Sequence, residues 1–278
     1  MRGSKTKQKR TIVVAQYGAL LLVLAGFLLP ILWVLLASFD PHAGQIIKLP
    51  ADPTLRNYLA VFQDPSNIRG FANSFIISGL QSIVVVALSF VAAYPLSRYA
   101  LSWKRRFLYV IVFMTALPLN AIMVPVFKLF ISLNIQNSLV STSLFMAAAN
   151  LPYGIWMMKN FMDAVPVSLE EAAWVDGVGT FQTMLHIIVP LMVPGLSTVL
   201  IYVFTNAWGN FFVPFILLQD AAKYPASVRI YQYFQHSGLV EYGGLAAYSV
   251  VYTLPCVILY GFTQKYMSQG FTMGGADK

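Results

Sequence analysis

Side chains able to do covalent or metal chemistry are few and scattered in this chain of 278 residues. A single cysteine, Cys256, excludes a disulfide framework and any cysteine-based metal site. Three histidines, His42, His186 and His236, have no metal-ligand spacing, and no G-x4-G-K-[ST] phosphate loop occurs. Two sets of polar groups remain. One is an acidic trio, Glu170, Glu171 and Asp176, in a short polar segment. The other lies within long apolar runs: Gln16, Gln81, Asn120, Asn150, Tyr153, Asn206, Trp208, Asn210, Phe211 and Phe212. Amides hydrogen-bond hydroxyls without carrying charge, and aromatic faces pack on the C–H faces of sugar rings. Groups of this kind also join membrane helices to one another, and for any single one of them that role is the weightier reading.

The elements that must position these groups follow from composition. Hydrophobic residues make up 58% of the chain, aromatics 14% and charged residues only 10%, against about a quarter charged in a soluble domain. A soluble enzyme, a DNA-binding domain and a disordered scaffold are excluded. With about 20 residues per span, six apolar stretches predict an all-α integral membrane protein: Thr11–Leu36, Phe71–Leu96, Phe107–Phe127, Leu139–Met158, Leu191–Leu218 and Gly244–Phe262. The first is too long for the core of a cleaved signal and reads as a retained helix. None of the six contains Asp, Glu, Lys, Arg or His, which speaks against a proton pump, an ion-coupled carrier or a voltage sensor. Eight prolines fall within the stretches, Pro30, Pro95, Pro118, Pro125, Pro152, Pro194, Pro214 and Pro255, and predict kinks.

Lys and Arg set the orientation. With the N-terminus cytoplasmic, twelve of the 18 basic residues fall inside, including Arg2 to Arg10, Arg98, Lys104, Arg105 and Arg106, and six fall outside. The basic excess is thus an orientation device and a contact for lipid headgroups, not a nucleic-acid patch. The layout expected is a basic cytoplasmic N-terminus (1–10), a first transmembrane helix (11–36), an extracytoplasmic loop (37–70), a core with helices two to six (71–267), and a cytoplasmic tail (268–278). Within the core lie a cytoplasmic segment at 159–190 and a second outer loop at 219–243.

The 159–190 segment is too long for a connector and too polar to span. Ser168 and Glu171 have the spacing of a capping box, so a helix is expected to start at Ser168. Gly177 sits where a left-handed stop belongs, and Thr180 offers a second N-cap before Phe181, Met184, Leu185 and Ile188 recur at helical spacing. Two short helices joined by a tight turn are predicted. Ala172 and Ala173 permit close approach, and Trp174 supplies an apolar anchor among acids. That combination suits a helix inserted into a partner's groove better than one resting on lipid, which is usually basic.

Glu171-Ala172-Ala173, then Gly177, then Ile187 through Pro190 resembles the E-A-A-x3-G-x9-I-x-L-P signature of permeases of ATP-binding-cassette importers, with Val189 in place of the Leu. The whole chain is similar to the maltose-type carbohydrate branch. Val124-Pro125-Val126-Phe127 matches its I-P-x-[YF] stretch, Trp208 and Pro214 match its W-N-[ED]-F-x2-P stretch, and Tyr224 to Val228 and Gly270 to Gly274 look familial. Departures are Gly209 and Asn210 at the usual Asn and acid, Asn134 for a Gly, and Asp277 for a Lys.

The resemblance implies a non-catalytic permease subunit without a cofactor of its own. ATP and magnesium would be held by two partner ATPase subunits, a second homologous permease would complete the path, and an extracytoplasmic solute-binding protein would meet the 219–243 loop. Glu170, Glu171, Ala172, Ala173, Asp176 and Gly177 would carry coupling, with Pro190 setting the return into the membrane. Asn150, Tyr153, Asn206, Trp208, Asn210 and Phe211 are the candidates for the translocation path, and the solute expected is a sugar, oligosaccharide or polyol. The competing readings are an ATP-independent carrier or facilitator and a purely structural membrane subunit.

Overall fold

A computed structural model describes residues 2–116, 118–233 and 240–273, and among them every regular element is helical. His236, Gly274 and Asp277 lie outside the described residues, as do the side chains of the basic N-terminal stretch. The helices are α1 (Arg2–Ser38), α2 (Arg56–Gln63), α3 (Pro65–Arg98), α4 (Lys104–Thr115), α5 (Met123–Ser132), α6 (Leu139–Asp163), α7 (Ser168–Val175), α8 (Thr180–Thr183), α9 (Val189–Leu191), α10 (Val193–Trp208), α11 (Phe212–Leu217), α12 (Ala226–Gln232) and α13 (Tyr242–Met273). Among the described residues, three segments are long and apolar enough to cross a membrane: Ala15–Ser38, Pro65–Arg98 and Tyr242–Lys265. Two bent pairs raise the number to five. With 25 residues α6 has the length, but Ser141, Thr142, Ser143 and Asn150 dilute its apolar character.

Two of the expected spans are interrupted. The stretch expected at Phe107–Phe127 is not one helix: α4 ends at Thr115, one tighter turn occupies Leu119–Ile122, and the segments Lys104–Thr115 and Leu119–Ser132 differ in direction by 84°. Pro118 and Pro125 explain the break, since neither can donate to the preceding turn. The stretch expected at Leu191–Leu218 likewise divides into α10 and α11, separated by Gly209, Asn210 and Phe211. Pro30, Pro95, Pro152 and Pro255, in contrast, lie inside α1, α3, α6 and α13.

The chain divides into two compact units. In the unit formed by 1–64 and 232–253, Asn57 donates from Nδ2 to the carbonyls of Ser38 and Asp40, both at 3.1 Å. Gly243 is required there, because a Cβ would come within 2.7 Å of the Asp40 carbonyl oxygen. Asp40 accepts from Lys48 at 3.0 Å and from the His42 backbone N–H at 2.8 Å. The Lys48 hydrogen bond first, and then the His42 amide, hold its carboxyl below the ordinary 3.8.

The larger unit, 65–231 and 254–278, is built on α3, α6 and α10. At 1.5 Å per residue α3 is about 50 Å long, well beyond the roughly 30 Å of hydrocarbon it would have to cross. Its pattern is that of a water-soluble helix turned inside out. Ser74, Ile77, Ser78, Gln81, Ser82, Val85, Ser89 and Ala93 recur at helical spacing and are buried, whereas Phe75, Ile76, Ile83, Leu88 and Val91 are exposed. Small inward residues let membrane helices approach closely. Gly154 of α6 is such a point, since a Cβ there would lie 2.5 Å from Ser89 Oγ and 2.7 Å from Val85 Cγ1. Gly195 of α10 is another, where a Cβ would lie 2.7 Å from the Phe161 ring and its Cβ.

Two predictions follow from this packing. Gly154→Val overpacks the α3–α6 contact and lowers stability in detergent by about 1–3 kcal/mol, whereas Gly261→Val, with nothing near its Cβ, stays within about 0.5 kcal/mol. Both are measured by thermal unfolding of the purified chain. For Asp40 the lowered carboxyl value means that its stabilisation is present above 3.8 and is lost as pH falls through the depressed value. Protease clipping of the 41–53 stretch is therefore flat from pH 8 down to about 5 and accelerates only in strong acid. In Asp40→Asn it is fast at every pH and loses that dependence.

Candidate functional site

The segment between α6 and α10 begins with the short connector 164–167 and α7. α7 starts at Ser168, as expected, but Ser168 does not cap it and Val167 holds the cap position. Val167 is already helical (φ −64°, ψ −29°), and its carbonyl accepts from Glu170 N–H at 2.9 Å and Glu171 N–H at 3.1 Å. Pro166 explains the shift, because proline is preorganised for the first helical turn. The second expected cap is also displaced: extended Gly179 (φ −70°, ψ 153°), not Thr180, precedes α8.

The contacts of Glu170 fix the rotation of α7. Glu170 and Ala173 face inward, and Glu170 is fully buried. Its Oε1 accepts from Arg98 Nε at 2.5 Å and its Oε2 from the Tyr94 hydroxyl at 2.8 Å. Arg98 completes its bonding with Nη1 to the Met162 carbonyl at 3.1 Å and to Ser97 Oγ at 3.2 Å, and with Nη2 to the Val165 carbonyl at 3.1 Å. Beside it, Ser97 donates to Asp163 Oδ1 at 2.7 Å, and Asp163 also pairs with Lys159. A buried ion pair contributes only when its remaining lone pairs and protons are met; here Arg98 makes four hydrogen bonds and Tyr94 holds the second carboxylate oxygen. Neither Arg98 nor Tyr94 is singled out by the sequence pattern. The available signal was one arginine two residues beyond an apolar run, which charge counting absorbed as an orientation residue.

Away from that side of α7, Glu171, Ala172 and Asp176 are exposed and Val175 is 87% exposed, while Trp174, one turn beyond Glu170, is partly exposed at its edge. With Leu169 and Phe181, also exposed, they form an apolar surface edged by acids. Gly177 ends the helix at φ +80°, as expected. Its N–H bonds to the Trp174 carbonyl at 3.0 Å and the Val178 N–H to the Ala173 carbonyl at 2.9 Å, the paired bonds of a Schellman stop. No atom lies near a Cβ built on Gly177, so only the backbone conformation demands glycine. Beyond α8 the chain passes through a π-turn at Met184–Ile188 into Pro190. That turn shifts bonding to i−5, as with the Val189 N–H to the Met184 carbonyl, and so relieves the clash a proline makes with the preceding turn. Thr180–Leu191 and Val193–Trp208 then meet at 72°.

The path candidates are placed in different settings. Tyr153 of α6 packs against Tyr202 of α10 with ring centroids 4.5 Å apart and planes tilted by 39°. Tyr202 in turn lines an apolar cavity of about 520 Å³ with Thr198, Thr205 and Cys256. Asn150 donates to the Met146 carbonyl at 3.1 Å, and Asn206 is exposed on α10. Trp208 is buried against Phe75 (4.8 Å) and Phe204 (5.6 Å). Asn210 Oδ1 accepts from Val213 N–H at 3.0 Å, opening α11, and Phe211 stacks on Phe215 at 4.9 Å. The 219–231 part of the second expected loop is ordered against α3: Asn73 Nδ2 donates to the Ala222 carbonyl at 2.9 Å and Ser74 Oγ accepts from Ala226 N–H at 2.8 Å. Among the described residues no group of acids, histidines or cysteine could hold a metal ion.

Residues 85–272 match the family described as binding-protein-dependent transport system inner membrane component. The chain belongs to that family. Among its relatives is the inner membrane ABC transporter permease protein YcjP of Escherichia coli, 32% identical over 96% of this chain and 98% of that protein. Another is the sulfoquinovosyl glycerol transport system permease protein SmoH of Agrobacterium fabrum, 30% identical over 91% and 90%. A chain of a bacterial ABC transporter involved in the import of the acidic polysaccharide alginate superposes with a TM-score of 0.79 at 23% identity, covering 92% of this chain and 96% of that one, and so shares the fold. The family match includes Arg98, all of α7, Pro190 and the bend at Met192.

Two adjacent acids of this permease should behave differently. Glu170→Ala strands the Arg98 guanidinium and costs about 3–5 kcal/mol, whereas Glu171→Ala, exposed and without a partner in the fold, stays within about 0.5 kcal/mol. Thermal unfolding of the purified chain compares them.

Proposed function

We propose that this chain is one of two permease subunits of an ATP-driven, binding-protein-dependent importer for a sugar, oligosaccharide or polyol. The observation that carries the reading is α7. One face is anchored inside the chain through Glu170, while the other leaves Glu171, Ala172, Trp174, Val175 and Asp176 open at the end of α3 and α6. An apolar, acid-edged face of this kind suits insertion into a groove on another protein. In this reading α7 is the coupling helix and docks into one of two ATPase subunits, which hold ATP and magnesium, and this chain carries out no chemistry itself.

Six spans follow when α6 is counted with the three long helices and the two bent pairs. Both termini then lie in the cytoplasm, with the basic 1–10 stretch among lipid headgroups, and the chain is a multi-pass protein of the cell membrane. The ordered part of the 219–243 loop offers an extracytoplasmic surface for a solute-binding protein. Asn150, Tyr153, Asn206, Asn210 and Phe211 contribute to the path, with Trp208 supporting it from behind. Uncharged spans and the glycoside named for the Agrobacterium relative support a hydroxyl-rich solute.

Gentle extraction from the native membrane followed by mass spectrometry is expected to recover two ATPase subunits, a second permease and a solute-binding protein whose ligand identifies the solute. In cells, Glu171→Ala and Gly177→Asp are expected to abolish uptake of that solute, with the chain still inserted at native level. Uptake that survives both substitutions, or a chain recovered alone, overturns the reading in favour of an ATP-independent facilitator.

A further inference from the structure

Arg98 belongs to α3 but directs its donors to two other elements. Nε reaches Glu170 on α7, while Nη1 and Nη2 reach the carbonyls of Met162 and Val165, where α6 ends and the connector begins. Its side chain is 5% exposed and that of Glu170 0%. Carbonyls at and just past a helix end are short of partners; Arg98 supplies one to Val165 and a further one to Met162, whose carbonyl also accepts from Val165 N–H at 3.1 Å, and its charge opposes the negative end of the α6 dipole. The charge that makes it effective is balanced by the carboxylate of the helix that follows. Tyr94, one turn earlier on α3, holds the second carboxylate oxygen. A lysine, with three donors on a single nitrogen, cannot span the fork that Arg98 makes.

We infer that Arg98 is a positioning residue that clamps α7 to the ends of α3 and α6, so that force on the open face of α7 moves both long helices together. This rests on the proposed docking of α7 to an ATPase. Without the clamp, the four residues of the connector would take up the displacement. Since Glu170 lies opposite the docking face, loosening the clamp separates coupling from docking: the partner still binds and hydrolyses ATP, but the spans no longer respond. Arg98 touches neither nucleotide nor solute in this scheme.

The chain carries its own reporter. Cys256, its single cysteine, lines the cavity between α6, α10 and α13 with Met157, Thr198 and Tyr202. In the complete complex in nanodiscs, the rate at which N-ethylmaleimide modifies Cys256, read on its peptide by mass spectrometry, is compared with and without ATP and vanadate. ATPase activity is measured in parallel. Trapping is expected to change the rate by about fivefold or more in the unaltered complex, the low end of an ordinary coupling between sites. In Arg98→Lys the change is expected to fall below about twofold while ATPase activity and co-purification persist. Tyr94→Phe, which removes only the hydroxyl from the clamp, gives an intermediate value and decides the matter if Arg98→Lys does not assemble. A full response in Tyr94→Phe and in any Arg98→Lys complex that assembles overturns the clamp alone. An unaltered complex whose Cys256 ignores ATP overturns the clamp together with the docking on which it rests.

Discussion

A guanidinium taken out of water has donors to satisfy and a charge to balance, and the packing around Arg98 answers with four hydrogen bonds and one carboxylate. The carbonyls of Met162 and Val165 fix the end of α6 against α3, and the carboxylate of Glu170 fixes the rotation of α7 against both. Because consecutive residues on a helix point about 100° apart, drawing Glu170 inward turns Glu171 outward. One acid is thereby committed to the fold and its neighbour is left free to meet another molecule. The ion pair costs desolvation that its attraction alone does not return; the hydroxyl of Tyr94 and two backbone carbonyls offset that cost.

The same logic, in which polar groups face in and apolar groups face out, runs through the helical core. Where the surroundings are lipid, burial of apolar surface does not hold helices together, so close approach and internal hydrogen bonds must. The serines of α3 with Gly154 opposite them, and Gly195 against Phe161, supply the approach, and Asn73 and Ser74 supply bonds to the stretch that follows α11. Proline acts according to position. Within α3, α6 and α13 it is tolerated by its neighbours, whereas Pro118, and Pro194 just past the bend at Met192, accompany a change of direction.

For a family of transport permeases this arrangement suggests a division of labour within one short segment. A Schellman stop at Gly177 keeps α7 short, a π-turn admits Pro190 without loss of the helix, and a 72° bend returns the chain to α10. Ordered backbone thus joins the open face of α7 to the spans at both of its ends. One end is the clamp at Arg98, and the other is the continuous helical run from Thr180 to Leu191.

Composition and periodicity by themselves determined that the chain is helical and membrane-bound, that its long apolar stretches lack charge, and that a short helix near Ser168 stops at Gly177. These features depend on residues close in sequence, through the length of an apolar run or the φ that only glycine accepts cheaply. The E-A-A spacing pointed to the family for the same reason. Tertiary structure alone decided which of two neighbouring acids is buried, that Val167 and Gly179 precede α7 and α8 in place of Ser168 and Thr180, and that two expected spans are broken. It also placed Trp208 in the packing and Tyr153 on Tyr202. The partner that fixes Glu170 lies 72 residues away in the chain, and no local pattern records a pairing made at that distance, because it comes from the low dielectric in which the two charges finally meet.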